Sequence, residues 1–185
     1  MPFSTESMVA FQQREIDERK AMALPDGGKF NFQIVKGEVF DSNGLPRLSI
    51  NLKVVASKDG SYVGRFHSDY QGWFASETSN SEKPIDQREA TIRNMTATRL
   101  HNYMKAMADA PYSTQEIGDL LDQEIKNLQS LTDEEEVSDC FESIGALLQG
   151  QEITATIKHA ATGPWVNIYP AKYDATIGAE LSVTV

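Results

Sequence analysis

Residues 28–54 read GKFNFQIVKGEVFDSNGLPRLSINLKV, and this stretch decides the fold. Phe30, Phe32 and Ile34 alternate with Asn31 and Gln33, and Leu48, Ile50, Leu52 and Val54 alternate with Ser49, Asn51 and Lys53. A period of two is the mark of a strand with one buried face. Asp41-Ser42-Asn43-Gly44 separates the runs, and Asn-Gly accepts the positive φ of a tight turn. Gly37 is expected to be a bulge ahead of Glu38-Val39-Phe40. After Lys58-Asp59-Gly60 the chain is expected to return from Tyr62 to His67 as a third strand, completing a meander.

Upstream, residues 5–23 read as a helix with a loose apolar stripe of Met8, Val9, Phe11, Ile16 and Met22, ended by Pro25-Asp26-Gly27-Gly28. Downstream, residues 84–149 change to helical periodicity. Ile92, Met95, Leu100, Tyr103, Met104 and Met107 form one stripe. Ser113 with Glu116 and Thr132 with Glu135 have capping-box spacing, and Gly150 fits a helix stop. Strand alternation resumes at Ile153, Ala155 and Ile157, turns at Gly163 and returns through Val166 and Ile168, with Pro170 as the expected stop. Residues 175–185 are expected to add an edge strand.

The chain therefore reads as a single domain over residues 1–185, with an N-terminal helix at 5–23, strands one to three within 29–75, a helical insertion at 84–149, and strands four and five with a terminal edge segment in 150–185. The expected class is α+β with a β-barrel core: a five-stranded OB-fold-like Greek-key barrel, whose helix characteristically lies between strands three and four. An α+β sandwich also fits the local periodicities.

The net charge of −10 disfavours a generic duplex or membrane binder. The charge is uneven. Residues 27–75 hold 6 cations and 4 carboxylates, a net of +2, whereas residues 76–149 hold 6 and 15, a net of −9. The strand-rich opening is the one net-positive stretch, and screening over about 8 Å lets local charge matter more than the total. The start MPFSTESMVAFQQREIDERK lacks a basic segment followed by an apolar block, and no apolar run approaches the roughly 20 residues of a membrane span. A single cysteine, Cys140, fits a reducing compartment, so a cytoplasmic protein is expected. Cys140 itself, on an apolar stripe beside Phe141, reads as a buried structural thiol.

If the apolar set points inward, the opposite face of the strands is basic, amide-rich and aromatic: Lys29-Asn31-Gln33, Arg47-Ser49-Asn51-Lys53, Arg65-His67, Thr154-Thr156-Lys158 and Trp165-Asn167-Tyr169. Cations interleaved with flat rings suit an unpaired nucleic-acid strand, because cations take phosphates and rings stack bases. Lys36, Arg47, Lys53, Arg65 and Lys158 are the candidate phosphate contacts, and Trp165 and Tyr169 the candidate stacking rings. His67, Tyr70 and Trp73 are expected to continue the groove, while Phe66 and Phe74 are expected to seal the rim against the helices. Arg88, Arg93, Arg99 and Lys105 do not share a stripe and read as solvated partners of Asp86 and Glu89. Asp133-Glu134-Glu135-Glu136 reads as a helix first turn, where carboxylates oppose the macrodipole. His67, His101 and His159 lack metal-ligand spacing, and there is no Walker loop, GxGxxG or GxSxG. No cofactor is expected. Glu38, Asp41 and Asp69 leave a divalent-metal nuclease as a minor alternative.

Together GKFNFQIVKGEVF (28–40), RLSINLKVV (47–55), SYVGRFHSDYQGWF (61–74), LLQGQEITATIKH (147–159) and WVNIYP (165–170) resemble the OB-fold single-stranded-DNA-binding proteins of tailed bacteriophages, over roughly residues 25–172. That resemblance implies a non-enzymatic, often acidic protein that coats unwound DNA during phage DNA replication and recombination, in the host cytoplasm. Its better-known members often finish in an acidic tail that recruits replication proteins. This chain reads Leu181-Ser182-Val183-Thr184-Val185 there, an apolar edge segment that offers homo-oligomerisation instead. The expected function is sequence-tolerant single-stranded-DNA binding. The alternative is a phage structural or assembly protein-interaction module.

Overall fold

A computed structural model describes residues 5–78 and 81–179 and, within the first helix, the side chains of residue 9 and of residues from 12 onward. Strands β1 (Lys29–Ser42) and β2 (Leu45–Ser57) form the hairpin that the alternation requires. It turns at Asn43 and Gly44, with φ of 56° and 78°, and Asp41 Oδ1 accepts from the Gly44 N–H at 2.9 Å. Strand β3 spans Phe66–Gln71, later than the expected Tyr62–His67. Tyr62 and Gly64 take positive φ, so that stretch lengthens the turn and meets β2 at its end, where Gly64 and Arg65 exchange backbone hydrogen bonds with Val54.

Helices α2 (Ile85–Met107), α3 (Gln115–Leu128) and α4 (Glu134–Leu148) stand between β3 and β4 (Glu152–His159). The chain closes with β5 (Val166–Ala171), which runs through Pro170 without stopping. Proline is tolerated there because β5 is an edge strand. The α3 cap is Thr114, whose Oγ1 accepts from the Ile117 N–H at 3.3 Å. The α4 cap is Asp133, which accepts from the Glu135 and Glu136 N–H groups. Each cap lies one residue after the expected Ser113 and Thr132. Glu134, Glu135 and Glu136 do occupy the first turn of α4, opposing its dipole.

All strand pairs are antiparallel, in the order β3-β2-β1-β4-β5. Among the described residues the architecture is thus α+β, an open five-stranded sheet with four helices, counting α1 (Thr5–Met22). The closed barrel expected from the sequence is not formed: among the described residues no ladder joins β3 to β5. Helix α2 lies at that seam. Thr96 Oγ1 donates to the Gly72 carbonyl at 2.7 Å, Tyr103 Oη donates to Asp69 Oδ2 at 2.9 Å, and Arg99 Nη1 donates to the Ile168 carbonyl. Side chains of one helix therefore reach a backbone carbonyl of β5, the carbonyl just after β3 and a β3 side chain, across the gap where a ladder would close the barrel.

The core lies between the inner sheet face and the helices. Phe32, Ile34, Leu48, Ile50, Leu52, Ile153, Ile157 and Ile168 meet Leu100, Tyr103, Leu121, Ile125, Phe141, Ile144 and Leu148, all buried. Cys140 is buried among them, and its thiol is pushed up to about 12 by burial and by the neighbouring Glu124 carboxylate. Gly37 is not the bulge. The register steps from Ile34–Leu52 to Lys36–Asn51, so Val35 is the extra residue. Gly37 instead lets β1 meet α4, where a Cβ would sit 2.4 Å from Gly145 Cα.

The expected apolar stripe of α1 is described at Val9, Ile16 and Met22. Val9 and Met22 are exposed and Ile16 is half-buried, while Met8 and Phe11 lie outside the described side chains. The helix is tied at its C-terminal end, where the Met22 carbonyl accepts from Arg65 and Lys20 donates to the Ala160 carbonyl. Residues 175–179 form turns and not the expected edge strand, and Leu181–Val185 lie outside the described residues. Among the described residues no helix is long and apolar enough to cross a membrane.

Candidate nucleic-acid interface

Directly opposed residues share a face of the sheet. Three rows of side chains therefore cross the outer face of β1, β2 and β3: Glu38-Ser49-Tyr70, Lys36-Asn51-Ser68 and Gln33-Lys53-Phe66. Phe40 and Arg47 begin a fourth. The bulge at Val35 makes this possible. Strict alternation from Ile34 would aim Lys36 at the core, and the extra residue returns it to the outer face. Phe66 is 65% exposed and Tyr70 59%. The Tyr70 ring meets Phe40 edge-on, with centroids 5.6 Å apart.

Lys36 is paired with Glu38, whose carboxyl is held below its usual range chiefly by that hydrogen bond, with a further bond from Asn51. Lys53 and Lys158 have no ion-pair partner among the described residues. The Arg47 Nε is buried without a hydrogen-bond partner. Its guanidinium lies beside Gly72, at the edge of a cavity of about 440 Å³ that Lys83 and Arg88 also line.

The β4–β5 hairpin supplies the second half. Lys158 faces Asn167, and Thr156 faces Tyr169, on the outer side. Tyr169 is 49% exposed, with Lys158 Nζ 5.4 Å and the Arg99 guanidinium 5.6 Å from its ring centroid. Trp165 stands at the hairpin tip, 70% exposed, where the Ala160 N–H donates to its carbonyl at 2.9 Å. Both rings that the sequence singles out for stacking are thus accessible.

The remaining expectations are corrected by geometry. The outer face is not continuous: residues 173–178 run over its β1–β4 centre. Asp174 pairs with Lys29 at 3.1 Å, its carbonyl accepts from Asn31 Nδ2, and its N–H donates to Thr154 Oγ1 at 2.7 Å. Asn31 and Thr154 are consequently buried rather than displayed. Asp174 is held down at about 2, first by its hydrogen bonds from Thr176 and then by Lys29.

Trp73 is 1% exposed and leaves the site altogether. Its indole N–H donates to the Leu131 carbonyl at 3.1 Å, and Arg93 sits over its ring. Phe74 is buried, as expected of a rim seal, but Phe66 is not. His67 opposes Leu52 and therefore faces inward, with Asp69 opposite Ile50. Burial, reinforced by Arg99, lowers the His67 pKa. Burial raises that of Asp69 against the opposing pull of Arg99 and Tyr103. Arg65 is exposed, donating to the Met22 carbonyl at 3.0 Å with its guanidinium over Tyr62. It lies at the margin of the Lys53–Phe66 row.

Of the helical cations, only Arg93 makes the expected pair, with Glu89 at 3.2 Å. Arg88 donates instead to the carbonyls of Ser76 and Lys83. Glu38, Asp41 and Asp69 do not converge, since Glu38 is on the outer face, Asp41 holds a turn and Asp69 faces inward. Among the described residues no group of three His, Cys, Asp or Glu side chains could hold a metal ion.

Phe66 and Phe40 are the residues that sequence reasoning missed. In Phe66-His67-Ser68-Asp69-Tyr70-Gln71 the aromatic set looks like the core set. It lies outside because the inner set faces the polar seam with α2. No family model and no curated protein matches the chain.

Proposed function

We propose that this protein is a non-catalytic, sequence-tolerant single-stranded-DNA-binding protein built on an OB-type arrangement. The strand order supports that arrangement. A β1-β2-β3 meander and a β4–β5 hairpin flank β1, with the helices inserted between β3 and β4, as in the partly open OB barrel. One observation carries the functional reading: Phe66, Tyr70, Tyr169 and Trp165 are exposed rings on strands or strand ends, interleaved with Lys53, Arg47 and Lys158, on a protein of net charge −10. Rings exposed in this way are available to nucleobases, and a base stacked on each contributes about 1–3 kcal/mol. Duplex DNA buries its base faces, so rings of this kind favour unpaired strands. The proposed setting, phage DNA replication and recombination, rests on the sequence resemblance alone.

The test is fluorescence anisotropy with a labelled oligothymidylate of about 20 nucleotides. Phosphate contacts by Lys53, Arg47 and Lys158 give an expected slope of log affinity against log salt of about −2, or a loss of about 20-fold between 50 and 200 mM. Phe66→Ala and Trp165→Ala are each expected to weaken binding by about fivefold or more. No binding at micromolar protein at the lower salt refutes the reading, and stable oligomers indifferent to DNA would favour an assembly module.

A further inference from the structure

The seam between β3 and β5 contains a groove of about 590 Å³. Gln71 and Tyr70 line it from β3, and Asn167 and Tyr169 from β5. Its third side is α2, through Asn94, Met95, Thr98, Arg99 and Asn102. On a helix, positions 94, 98 and 102 fall on one stripe. Elsewhere the exposed surface of this chain is rich in charge. Yet the exposed residues of α2 from Ala90 to Met104 are Ala90, Thr91, Asn94, Met95, Thr98 and Asn102, and none is charged.

The charges that do reach the groove are already committed. Arg99 donates to the Ile168 carbonyl, and Asp69 accepts from Tyr103 and from Gln71 at 3.0 Å. Asn94, Asn102 and Asn167 have no side-chain hydrogen bond among the described residues. An uncommitted carboxamide offers a donor pair and an acceptor side by side, the pattern that pairs with the edge of a nucleobase. Exposed tyrosines flank the groove on both strands, Tyr70 as a ring for stacking and Tyr169 with the Arg99 and Lys158 cations beside its ring. The groove also adjoins the cationic cavity of Arg47 and Arg88, because Ile92 lines both and Gly72 contacts the Arg47 guanidinium side.

We infer that this groove is a nucleobase-reading site: one unstacked base of the bound strand enters between Tyr70 and Tyr169 and is hydrogen-bonded on its edge by Asn94 and Asn102, with its phosphate on the Arg47–Arg88 side. The inference rests on the proposed single-strand binding and adds to it a base preference that the sheet face alone does not supply. The sheet rings accept any base, while the amides discriminate.

The experiment compares the affinities of oligo(dT), oligo(dC) and oligo(dA) of equal length for the intact protein and for Asn94→Ala/Asn102→Ala. Both positions are exposed on a helix and alanine is the better helix former, so the variant keeps its fold. The intact protein is expected to spread the three ligands over about fivefold or more. The variant is expected to bring them within about twofold while still binding all of them. Equal affinities for the intact protein, or a spread unchanged in the variant, overturn the base-reading site and leave single-strand binding standing. Failure to bind any of the three overturns both.

Discussion

Replacing Gly37 with alanine tests the junction of β1 and α4, on which the position of the whole binding face depends. The added Cβ would lie 2.4 Å from Gly145 Cα and 2.6 Å from its carbonyl oxygen. Comfortable carbon contacts begin near 3.5 Å, so strand and helix must part by about 1 Å. Both obstructing atoms are backbone, and no rotamer change relieves them. Overpacking of this kind costs about 1–3 kcal/mol, and the rigid neighbour puts this case at the upper end. The reduced entropy of the unfolded alanine chain returns about 0.4–1 kcal/mol, leaving a net loss of about 2 kcal/mol. At this chain length that lowers Tm by about 4–8 °C. Gly145→Ala is expected to cost less, its nearest obstruction being at 2.9 Å. Gly118→Ala is the internal control: it lies within α3 with nothing inside 4 Å, so it should raise stability by about 0.5–1 kcal/mol. Thermal unfolding followed by circular dichroism measures all three. A Gly37→Ala protein melting within about 1 °C of the parent refutes the packing described.

Two aspartates should titrate on opposite sides of the ordinary carboxylate value in a carbon-detected NMR titration, Asp69 above it and Asp174 at about 2. The linked stability effects have opposite signs. The contribution of Asp174 is complete above about pH 4 and is lost as pH falls toward 2, whereas burial of Asp69 makes stability fall as pH rises from about 4 through its raised value. Asp69→Asn should therefore flatten the second slope, and matching ordinary titrations for both residues would contradict these environments. Cys140 should resist a thiol-disulfide reagent in the folded protein and react on denaturation, and rapid labelling of the native state at pH 8 would contradict its burial. Acrylamide should quench an exposed tryptophan population that disappears in Trp165→Phe and persists in Trp73→Phe, and the reverse assignment would invert the site.

Where one face of an element is apolar throughout, its reading from sequence is direct. Phe30, Phe32 and Ile34 against Leu48, Ile50 and Leu52 give the β1–β2 hairpin, and Gly150 at φ 84° ends α4 as expected. The parity of β3 was hidden because both of its alternating sets are partly polar. Its face is decided by pairing with β2, a long-range fact. The burial of Trp73 depends on Leu131, which lies beyond two helices in the chain. The covering of Asn31 and Thr154 by Asp174 is equally non-local. Lys53, Lys158 and Tyr169 are legible because the alternation of β2, β4 and β5 sets each on the face opposite an apolar neighbour, and Trp165 because it stands at a turn.

Arg99, Thr96 and Tyr103 have a consequence beyond bridging β5 and the end of β3. Strands joined by a ladder are fixed at about 4.8 Å. Strands joined through the side chains of a helix stand apart by whatever those side chains span. The gap between β3 and β5 is thus an aperture whose width is set jointly by the curvature of the sheet and by a few residues of α2. Substitutions confined to that helix can widen or narrow it while the fold stays constant.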